Sequence, residues 1–285
     1  MERLNNGYTE MGEKLKQAKG IIFSDVDGVW LDETKNFAFP DNNSLEAILR
    51  AQSQDYVFVL NSDTGGESLL QLSREMGITS DLCIAENGSY IQTENDVWMI
   101  QEPDPRTFMS GLRIRFAEIL SSSGTVWQGD ATRAVRKREL KNDSPLFLVN
   151  TSRQCSVGIY ARQAGMTIDR DLTESVYQTV TKVCSDVQGV EISQYPEIGS
   201  CLVRTTNRPS KADAVSRLLE LSGFGGPCFM IGDSMADAMR SLDKRVITCA
   251  VGNASPELKT NADVINETAV LDRSTAEIIN SIISS

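Results

Sequence analysis

Paired carboxylates follow two short apolar runs of the chain, each with the length and composition of a buried strand. Two carboxylates close together, with a glycine that lets the backbone approach a ligand, suit a hard cation and a reacting anion. Clustered acids repel one another unless a cation or a proton compensates them, so acids at two strand ends of one sheet predict a Mg²⁺ site. The first pair is Asp25 and Asp27, followed by Gly28, and the second pair is Asp233 and Asp237.

Each pair also has a purely structural interpretation. Asp27 and Gly28 form a dipeptide that is common in turns after strands. Asp237 falls at a predicted helix start, where the helix dipole favours an acidic side chain. The occurrence of both pairs after buried strands favours chemistry over these alternatives.

The composition excludes several other kinds of chemistry. The chain has 285 residues and no histidine, which excludes Ser-His-Asp and Cys-His catalysis, His-ligated zinc and imidazole bases. Its net charge of −11 argues against a nucleic-acid partner, because phosphate neutralisation needs clustered Lys and Arg. No apolar run has the length of a membrane span, and no signal peptide is evident. The six cysteines show no metal-ligand spacing and are expected to be reduced thiols of a cytoplasmic protein.

The elements that position these residues alternate between strands and helices. Apolar runs at 21–23, 56–60 and 229–231 are typical of strands that are buried on both faces, and helical patterns lie between them. This alternation of strands and helices predicts βαβ crossovers and a doubly wound parallel sheet of the α/β class. Ligands bind at the carboxyl ends of such strands, where both acidic pairs fall.

The middle of the chain has a different pattern. Helices followed by adjacent strands predict an α+β unit with an antiparallel sheet, inserted into the α/β core. We therefore expect an N-terminal extension at 1–19, a core formed by 20–90 and 200–285, and an inserted domain at 91–199 that sets substrate choice.

Four motifs, in order along the chain, resemble those of the haloacid dehalogenase (HAD) superfamily of phosphohydrolases. Residues 25–29, Asp-Val-Asp-Gly-Val, resemble its first motif, and Ser62 after an apolar strand is similar to the second. Lys211 matches the third, and residues 232–237, Gly-Asp-Ser-Met-Ala-Asp, match the fourth. Residues 86–88, Glu-Asn-Gly, and the position of the insert resemble the Cof-like branch, which carries a type C2 cap domain.

The resemblance implies a role for each matched residue. Asp25 is the implied nucleophile and Asp27 the general acid and base. Mg²⁺ is implied to bind the Asp25 carboxylate, the Asp27 backbone carbonyl, Asp233 and Asp237. The implied phosphate contacts are Gly28, Lys211 and Ser62, with Asn61 or Thr64 as alternatives to Ser62. Trp30 and Asn253 are weaker candidates for substrate contacts.

Lys211 also stands out without the resemblance. It falls in the first turn of a predicted helix, where the dipole disfavours a cation, so we expect an anion beside it.

The resulting prediction is a Mg²⁺-dependent phosphomonoester hydrolase that forms an aspartyl-phosphate and acts on a small phosphorylated metabolite, with a sugar phosphate as the expected substrate. Two alternatives share the motifs: a phosphomutase of the phosphomannomutase type, and a non-catalytic binding protein on the same fold. Neither a nucleic acid nor a membrane is an expected partner, and the sequence does not indicate an oligomeric state. Three positions depart from the family pattern: Ala236 stands where the branch usually has Asn, Val29 and Trp30 replace Thr-Leu, and residues 61–65 replace a Thr-Gly-Arg type of sequence.

Overall fold

The chain forms two compact units. The computed structural model describes residues 12–32, 37–38, 41–137, 140–239 and 244–285. The larger unit comprises Met1–Ile100 and Pro209–Ser285, and the smaller unit comprises Gln101–Arg208. No described helix is both long enough and apolar enough to cross a membrane.

An eight-stranded sheet forms the centre of the larger unit, in the order β13-β12-β11-β1-β2-β3-β4-β5. The strands from β13 to β3 are parallel to one another, whereas β4 and β5 are antiparallel additions at one edge. Their bounds are β1 Gly20–Ser24, β2 Tyr56–Asn61, β3 Leu82–Ala85, β4 Tyr90–Thr93, β5 Val97–Met99, β11 Cys228–Gly232, β12 Val246–Ala250 and β13 Val264–Ile265.

Helices cover both faces of this sheet, which confirms the predicted doubly wound α/β class. The helical segments are α1 at 12–17, α2 Asn43–Gln52, α3 Gly66–Glu75, α7 Lys211–Ser222, α8 Pro256–Asn261 and α9 Leu271–Ser284. On one face, Phe23 and Val59 pack in a buried cluster with Leu218 of α7. On the other face, the Tyr56 hydroxyl donates to the carbonyl of Ile282 in α9, because side chains alternate between the two faces along β2.

Both ends of the insert lie later in the chain than the sequence indicated. Residues 91–199 were expected to form the inserted domain, but residues 91–99 belong to the larger sheet, where β4 pairs with β3 and β5 pairs with β4. Ser200–Thr205 was expected at the start of the returning core, but it forms a strand of the smaller sheet. The expected extension at 1–19 also differs, since Leu15 is buried in the core of the larger unit; residues 1–11 lie outside the described part of the chain.

The smaller unit is an α+β unit with a five-stranded sheet in the order β6-β7-β8-β10-β9. Helices α4 and α6 cover one face of the sheet, where Phe116, Ile159 and Val176 are buried together. We expected an antiparallel sheet, but β6 and β7, which α5 connects, pair in parallel. The bounds are α4 Arg106–Leu120, β6 Thr125–Gly129, α5 Ala131–Lys137, β7 Leu146–Asn150, β8 Ser156–Arg162, α6 Arg170–Val183, β9 Val190–Tyr195 and β10 Ser200–Thr205.

A buried carboxylate near the end of the chain caps the first long helix of the larger unit. Asn42 at the start of α2 has left-handed backbone angles and makes no side-chain cap. Asp272 of α9 supplies the cap instead, since its carboxylate accepts from the backbone N–H groups of Asn43 (3.3 Å) and Ser44 (2.9 Å). Burial alone would raise the pKa of Asp272, but these hydrogen bonds outweigh it and lower the pKa.

We expect Asp272→Ala to lower the free energy of unfolding by about 2 kcal/mol at pH 7, because the first amides of α2 lose their acceptor. Asp272 stabilises the fold above the pKa that it has in the unfolded chain, near ~4, and this stabilisation is lost as pH falls through its lower folded pKa. Urea unfolding of both proteins at pH 7 and at about pH 3 measures the stability difference and its loss at low pH. The exposed Asp41→Ala is the control, and an unchanged Asp272→Ala midpoint at pH 7 would refute the capping role.

Candidate active site

The backbone and side chain of Asp25 are held by hydrogen bonds at the carboxyl end of β1. Its N–H donates to the carbonyl of Ile231 in β11 at 2.9 Å. The Ser24 hydroxyl donates to the Asp25 carbonyl at 2.9 Å, and the Val26 N–H donates to Asp25 Oδ1 at 2.7 Å. One carboxylate oxygen and both backbone polar groups of Asp25 are therefore held by hydrogen bonds within the protein.

Lys211 bridges two of the predicted site carboxylates. It is the first residue of α7, which begins at a capping box between Ser210 and Asp213. Its Nζ lies 2.9 Å from Asp25 Oδ2 and 2.8 Å from Asp237 Oδ1, and only 3% of the side chain is exposed. Burial alone would lower the pKa of Lys211, but the two carboxylates outweigh it and raise the pKa, so the ammonium stays charged. Two carboxylates of the chain thus supply the anion expected beside this lysine.

Asp233 and Asp237 follow β11, as predicted, but Asp237 ends a single 3₁₀ turn at Met235–Asp237 and does not lie at an α-helix start. Asp237 is fully buried, and its Oδ2 accepts from the backbone N–H groups of Asp233 and Ser234, both at 3.2 Å. Its other oxygen accepts from Lys211. The Asp237 carboxylate therefore fixes the acidic loop and the lysine at once.

Three carboxylates of the larger unit converge closely enough to hold a metal ion. One oxygen from each of Asp25, Asp233 and Asp237 lies within 4.8 Å of the other two. Burial and the neighbouring Asp237 raise the pKa of Asp233 to about 6, and the same two causes raise that of Asp25 against the opposing effect of Lys211. A cation would relieve this repulsion, and an all-oxygen donor set fits a hard ion such as Mg²⁺. The Asp27 side chain is not part of this cluster, and its predicted ligand, the backbone carbonyl, remains a proposal.

Gly28 allows the first motif to approach the second acidic loop. Its φ is +72°, and a Cβ atom at this position would lie 2.1 Å from Asp233 Oδ2. The Asn253 amide donates to the Gly28 carbonyl at 3.0 Å. This predicted substrate residue therefore lies against the loop of the first motif. Asp27, directly before Gly28, is half-buried.

The second motif is buried in the same unit. Ser62 follows β2 and is 1% exposed; its hydroxyl accepts from the Thr64 N–H at 3.3 Å. Asn61, the last residue of β2, is fully buried, and neither its Nδ2 nor its Oδ1 has a hydrogen-bond partner. The structure thus gives Ser62 an internal contact and leaves the amide of Asn61 unsatisfied.

A turn that sequence reasoning did not assign to the site joins the second and third motifs. The Asn87 N–H donates to the Ser62 carbonyl at 3.1 Å, and its side-chain amide donates to Asp63 Oδ1 at 2.9 Å. The φ of Gly88 is +96°, and a Cβ atom there would lie 2.1 Å from the Ser210 carbonyl oxygen, directly before Lys211. The Asn-Gly pair at residues 87 and 88 is the sequence signal for such left-handed backbone.

The expectation that Trp30 contacts substrate is corrected by the structure. The indole ring is fully buried, and its Nε1–H donates to the Ser24 hydroxyl at 2.7 Å. Since Ser24 donates in turn to the Asp25 carbonyl, Trp30 supports the first motif from inside the core.

Comparison with known proteins shows the family of this chain. The sequence pattern of the haloacid dehalogenase-like hydrolases matches residues 22–272, which span both units and all four motifs. The chain belongs to the haloacid dehalogenase-like hydrolases. It is therefore an enzyme, as predicted. No curated protein matches its sequence closely.

Solved structures show that this HAD-like hydrolase shares its fold with distant relatives. A haloacid dehalogenase-like hydrolase from Bacteroides thetaiotaomicron is 19% identical with a TM-score of 0.63, covering 93% of this chain and 100% of its own. A Thermoplasma acidophilum protein is 18% identical with a TM-score of 0.60, covering 94% and 100%. A HAD subclass IIB sugar phosphatase is 16% identical with a TM-score of 0.53, covering 92% and 98%. At these identities the likeness concerns the fold.

Proposed function

We propose that this HAD-like hydrolase is a Mg²⁺-dependent phosphatase that releases inorganic phosphate from a small phosphorylated metabolite, with a sugar phosphate as the favoured substrate. The observation that carries the proposal is the position of Lys211. A buried, charged ammonium beside Asp25 and Asp237 stabilises carboxylate charge at the end of β1, where a nucleophile is required.

In the proposed first step, an Asp25 carboxylate oxygen forms a bond to phosphorus while the bond from phosphorus to the ester oxygen breaks. The leaving oxygen takes a proton from Asp27, so that an alcohol departs and an aspartyl-phosphate remains. Lys211 opposes the rise that burial causes in the pKa of Asp25, which favours the carboxylate form needed for this attack, and it offsets charge on the phosphoryl oxygens. Gly28 and Ser62 provide further contacts to the phosphoryl group.

In the second step, Asp27 takes a proton from a water molecule as the water oxygen attacks phosphorus. The bond between phosphorus and Asp25 breaks, which releases inorganic phosphate and regenerates the carboxylate. The proton that Asp27 gained is available for the next turnover, so the cycle balances without any other acid or base.

Asp25, Asp233, Asp237 and the Asp27 backbone carbonyl are the residues that would hold Mg²⁺. When bound, this ion would neutralise charge on the phosphoryl group and on the clustered carboxylates. Asn253, hydrogen-bonded to the carbonyl of Gly28, is proposed as a substrate contact beside this loop.

The proposed substrate class and location have separate support. The likeness to a sugar phosphatase of HAD subclass IIB favours a sugar phosphate over other phosphomonoesters. The acidic chain and the all-oxygen cluster are consistent with a small phosphorylated partner rather than a nucleic acid. All six cysteines are free and buried, which supports a reducing compartment such as the cytoplasm.

A panel of phosphomonoesters tests the proposal. We expect the full chain with Mg²⁺ to release phosphate from sugar phosphates faster than from phosphoglycolate or nucleotides. Treatment with EDTA should remove the activity, and added Mg²⁺ should restore it, because the three carboxylates need a counter-charge to accept a phosphoryl anion.

The same panel separates the alternatives. With a hexose 1-phosphate followed by NMR, a phosphatase gives free phosphate, whereas a phosphomutase gives an isomeric sugar phosphate. Failure to release phosphate from any ester, or full activity after metal removal, would refute the proposed function.

A further inference from the structure

Two adjacent residues near the start of α9 place buried hydroxyl groups against loops of the candidate site. Ser274 and Thr275 are both 0% exposed. The Thr275 hydroxyl donates to the carbonyl of Val29 at 3.2 Å, across 246 positions of the chain. The Ser274 hydroxyl accepts from the Gly252 N–H at 2.8 Å. A helix needs neither hydroxyl for its own hydrogen bonds, so these contacts point to a role in holding the two loops.

Thr275 holds the turn that follows the proposed nucleophile. This turn comprises residues 26–31 and closes on the carbonyl of Val26, which accepts from the Trp30 N–H at 2.8 Å. The Val29 carbonyl and the Trp30 N–H belong to one planar peptide group, which is therefore held at both of its polar atoms. The returning arm of the turn is thus tied to α9.

Asp27 lies at the tip of this turn. The N–H of Gly28, the next residue, donates to the Leu31 carbonyl at 2.9 Å, and Asp27 pairs with Leu31 in an isolated β-bridge. The backbone at Asp27 is therefore joined to both arms of the turn. Because of this connection, displacement of the returning arm would move the Asp27 carboxyl group relative to Asp25.

A second connection from α9 reaches the same turn through the loop that contains Gly252 and Asn253. Ser274 holds the Gly252 N–H, and the side-chain amide of Asn253 donates to the Gly28 carbonyl at 3.0 Å. Helix α9 therefore holds the turn at two successive carbonyls, directly through Thr275 and indirectly through Ser274.

Proton transfer from Asp27 makes strict demands on this geometry. A general acid must lie about 2.6–3.2 Å from the oxygen that it protonates, and a displacement of about 1 Å can lower the rate by about 100-fold. Alkyl esters depend on this proton because an alkoxide is a poor leaving group, whereas 4-nitrophenolate leaves without it. Loss of the Thr275 contact should therefore affect alkyl and aryl esters unequally.

We infer that Thr275 is a positioning residue, whose hydroxyl holds the Val29 carbonyl and thereby orients Asp27 for proton transfer to the leaving oxygen of the ester. The inference rests on the proposed function, in which Asp27 is the general acid. It gives α9, which contains none of the four motifs, a part in the first chemical step.

The test uses Thr275→Val, which keeps the branched shape of the side chain and removes its hydroxyl. We expect kcat/KM with Mg²⁺ to fall by about 10-fold for a sugar phosphate and by less than about 2-fold for 4-nitrophenyl phosphate. This constant is informative because it reports the first step, up to departure of the alcohol, and not the later attack of water. Thr275→Ser retains the hydroxyl and should keep both values within about 2-fold of the wild type.

Thr173→Val is the matched control in the smaller unit. Thr173 is a helix residue that is 1% exposed, and its hydroxyl donates to the carbonyl of Asp169 at 2.7 Å. The same substitution there should lower stability without changing the ratio of the two kcat/KM values. Thr275→Ala removes the same hydroxyl as Thr275→Val and takes its place if valine prevents folding.

Hydrogen exchange provides a readout that does not need activity. We expect the peptide that covers residues 21–31 to exchange faster in Thr275→Val than in the wild type or in Thr275→Ser, because the peptide group between Val29 and Trp30 loses one of its two hydrogen bonds. Thr173→Val should leave the exchange of this peptide unchanged.

Each outcome bears on the inference. Equal losses of kcat/KM for the two esters, or no loss for either, would overturn it, and so would unchanged exchange at residues 21–31. If the wild type hydrolyses neither ester, the proposed function fails. Faster exchange in the Thr275 variants would then support the positioning of Asp27 by Thr275, and unchanged exchange would overturn it.

Discussion

Replacing Asp25 by Asn should reduce phosphate release by about 10⁴-fold or more while the protein stays folded. The amide has nearly the size of the carboxylate, and its oxygen can still accept from the Val26 N–H that now contacts Oδ1. It cannot form the bond to phosphorus, so the reaction loses its first step. Phosphate release from the best ester of the panel, with Mg²⁺ present, measures the effect.

A folded but inactive protein is the required result for Asp25→Asn. The far-ultraviolet circular dichroism spectrum and the urea midpoint establish that the variant is folded, and Asp41→Asn on the surface controls for the loss of one negative charge. Turnover near the wild-type rate in the Asp25 variant would eliminate the aspartyl-phosphate mechanism, whatever the substrate.

Gly88→Ala is expected to damage both the stability and the activity of the enzyme. The new Cβ would lie 2.1 Å from the carbonyl oxygen of Ser210 and 3.1 Å from the backbone nitrogen of Lys211, in a backbone with φ of +96°. Overpacking against backbone, together with left-handed strain, costs about 3 kcal/mol of unfolding free energy. A shift of about 1 Å at the start of α7 would move Lys211 from Asp25 and lower kcat by about 100-fold.

Gly77→Ala is the control that separates the effect of left-handed backbone strain from the effect of displacing the start of α7. Gly77 lies in the same unit with a φ of +70°, but the atom nearest to a Cβ added there would be Leu49 Cδ2, at 3.9 Å. We expect this control to lose about 1 kcal/mol of unfolding free energy and to retain full activity. Equal activities for the two alanine variants would show that the turn at residues 86–88 does not position Lys211.

Much of the larger unit could be predicted because its strands are short, apolar and buried on both faces. The run at Tyr56–Asn61 is a clear example, and the parallel pairing of β1 with β2 follows from the βαβ pattern. Strands β4 and β5 were assigned to the wrong unit, since a local pattern gives no information on which sheet a strand extends. The parallel pairing of β6 with β7 depends on α5, a seven-residue helix too short for a clear periodic signal.

The site was predictable where a residue type itself carries the chemistry. The structure brings Asp25, Lys211, Asp233 and Asp237 together, because the spacing of charged residues after strands reflects the parallel sheet. The sequence left two positions open for Trp30, against substrate or in the core, because an indole beside a motif has the same pattern in both cases; the structure shows the core position. Long-range contacts such as that of Gly88 with Ser210 depend on tertiary packing that no local pattern encodes.

The strand order of the larger unit has a consequence for synthesis on the ribosome. β1 lies between β2 and β11, so one of its edges remains unpaired until the strand at Cys228–Gly232 has been made. The first amides of the helix at Asn43–Gln52 likewise lack their carboxylate acceptor until Asp272 has been made. The smaller unit is continuous from Gln101 to Arg208 and can fold as soon as it leaves the exit tunnel. The insert can therefore be complete while the cluster around Asp25 still lacks Lys211, Asp233 and Asp237, which follow the insert in the chain.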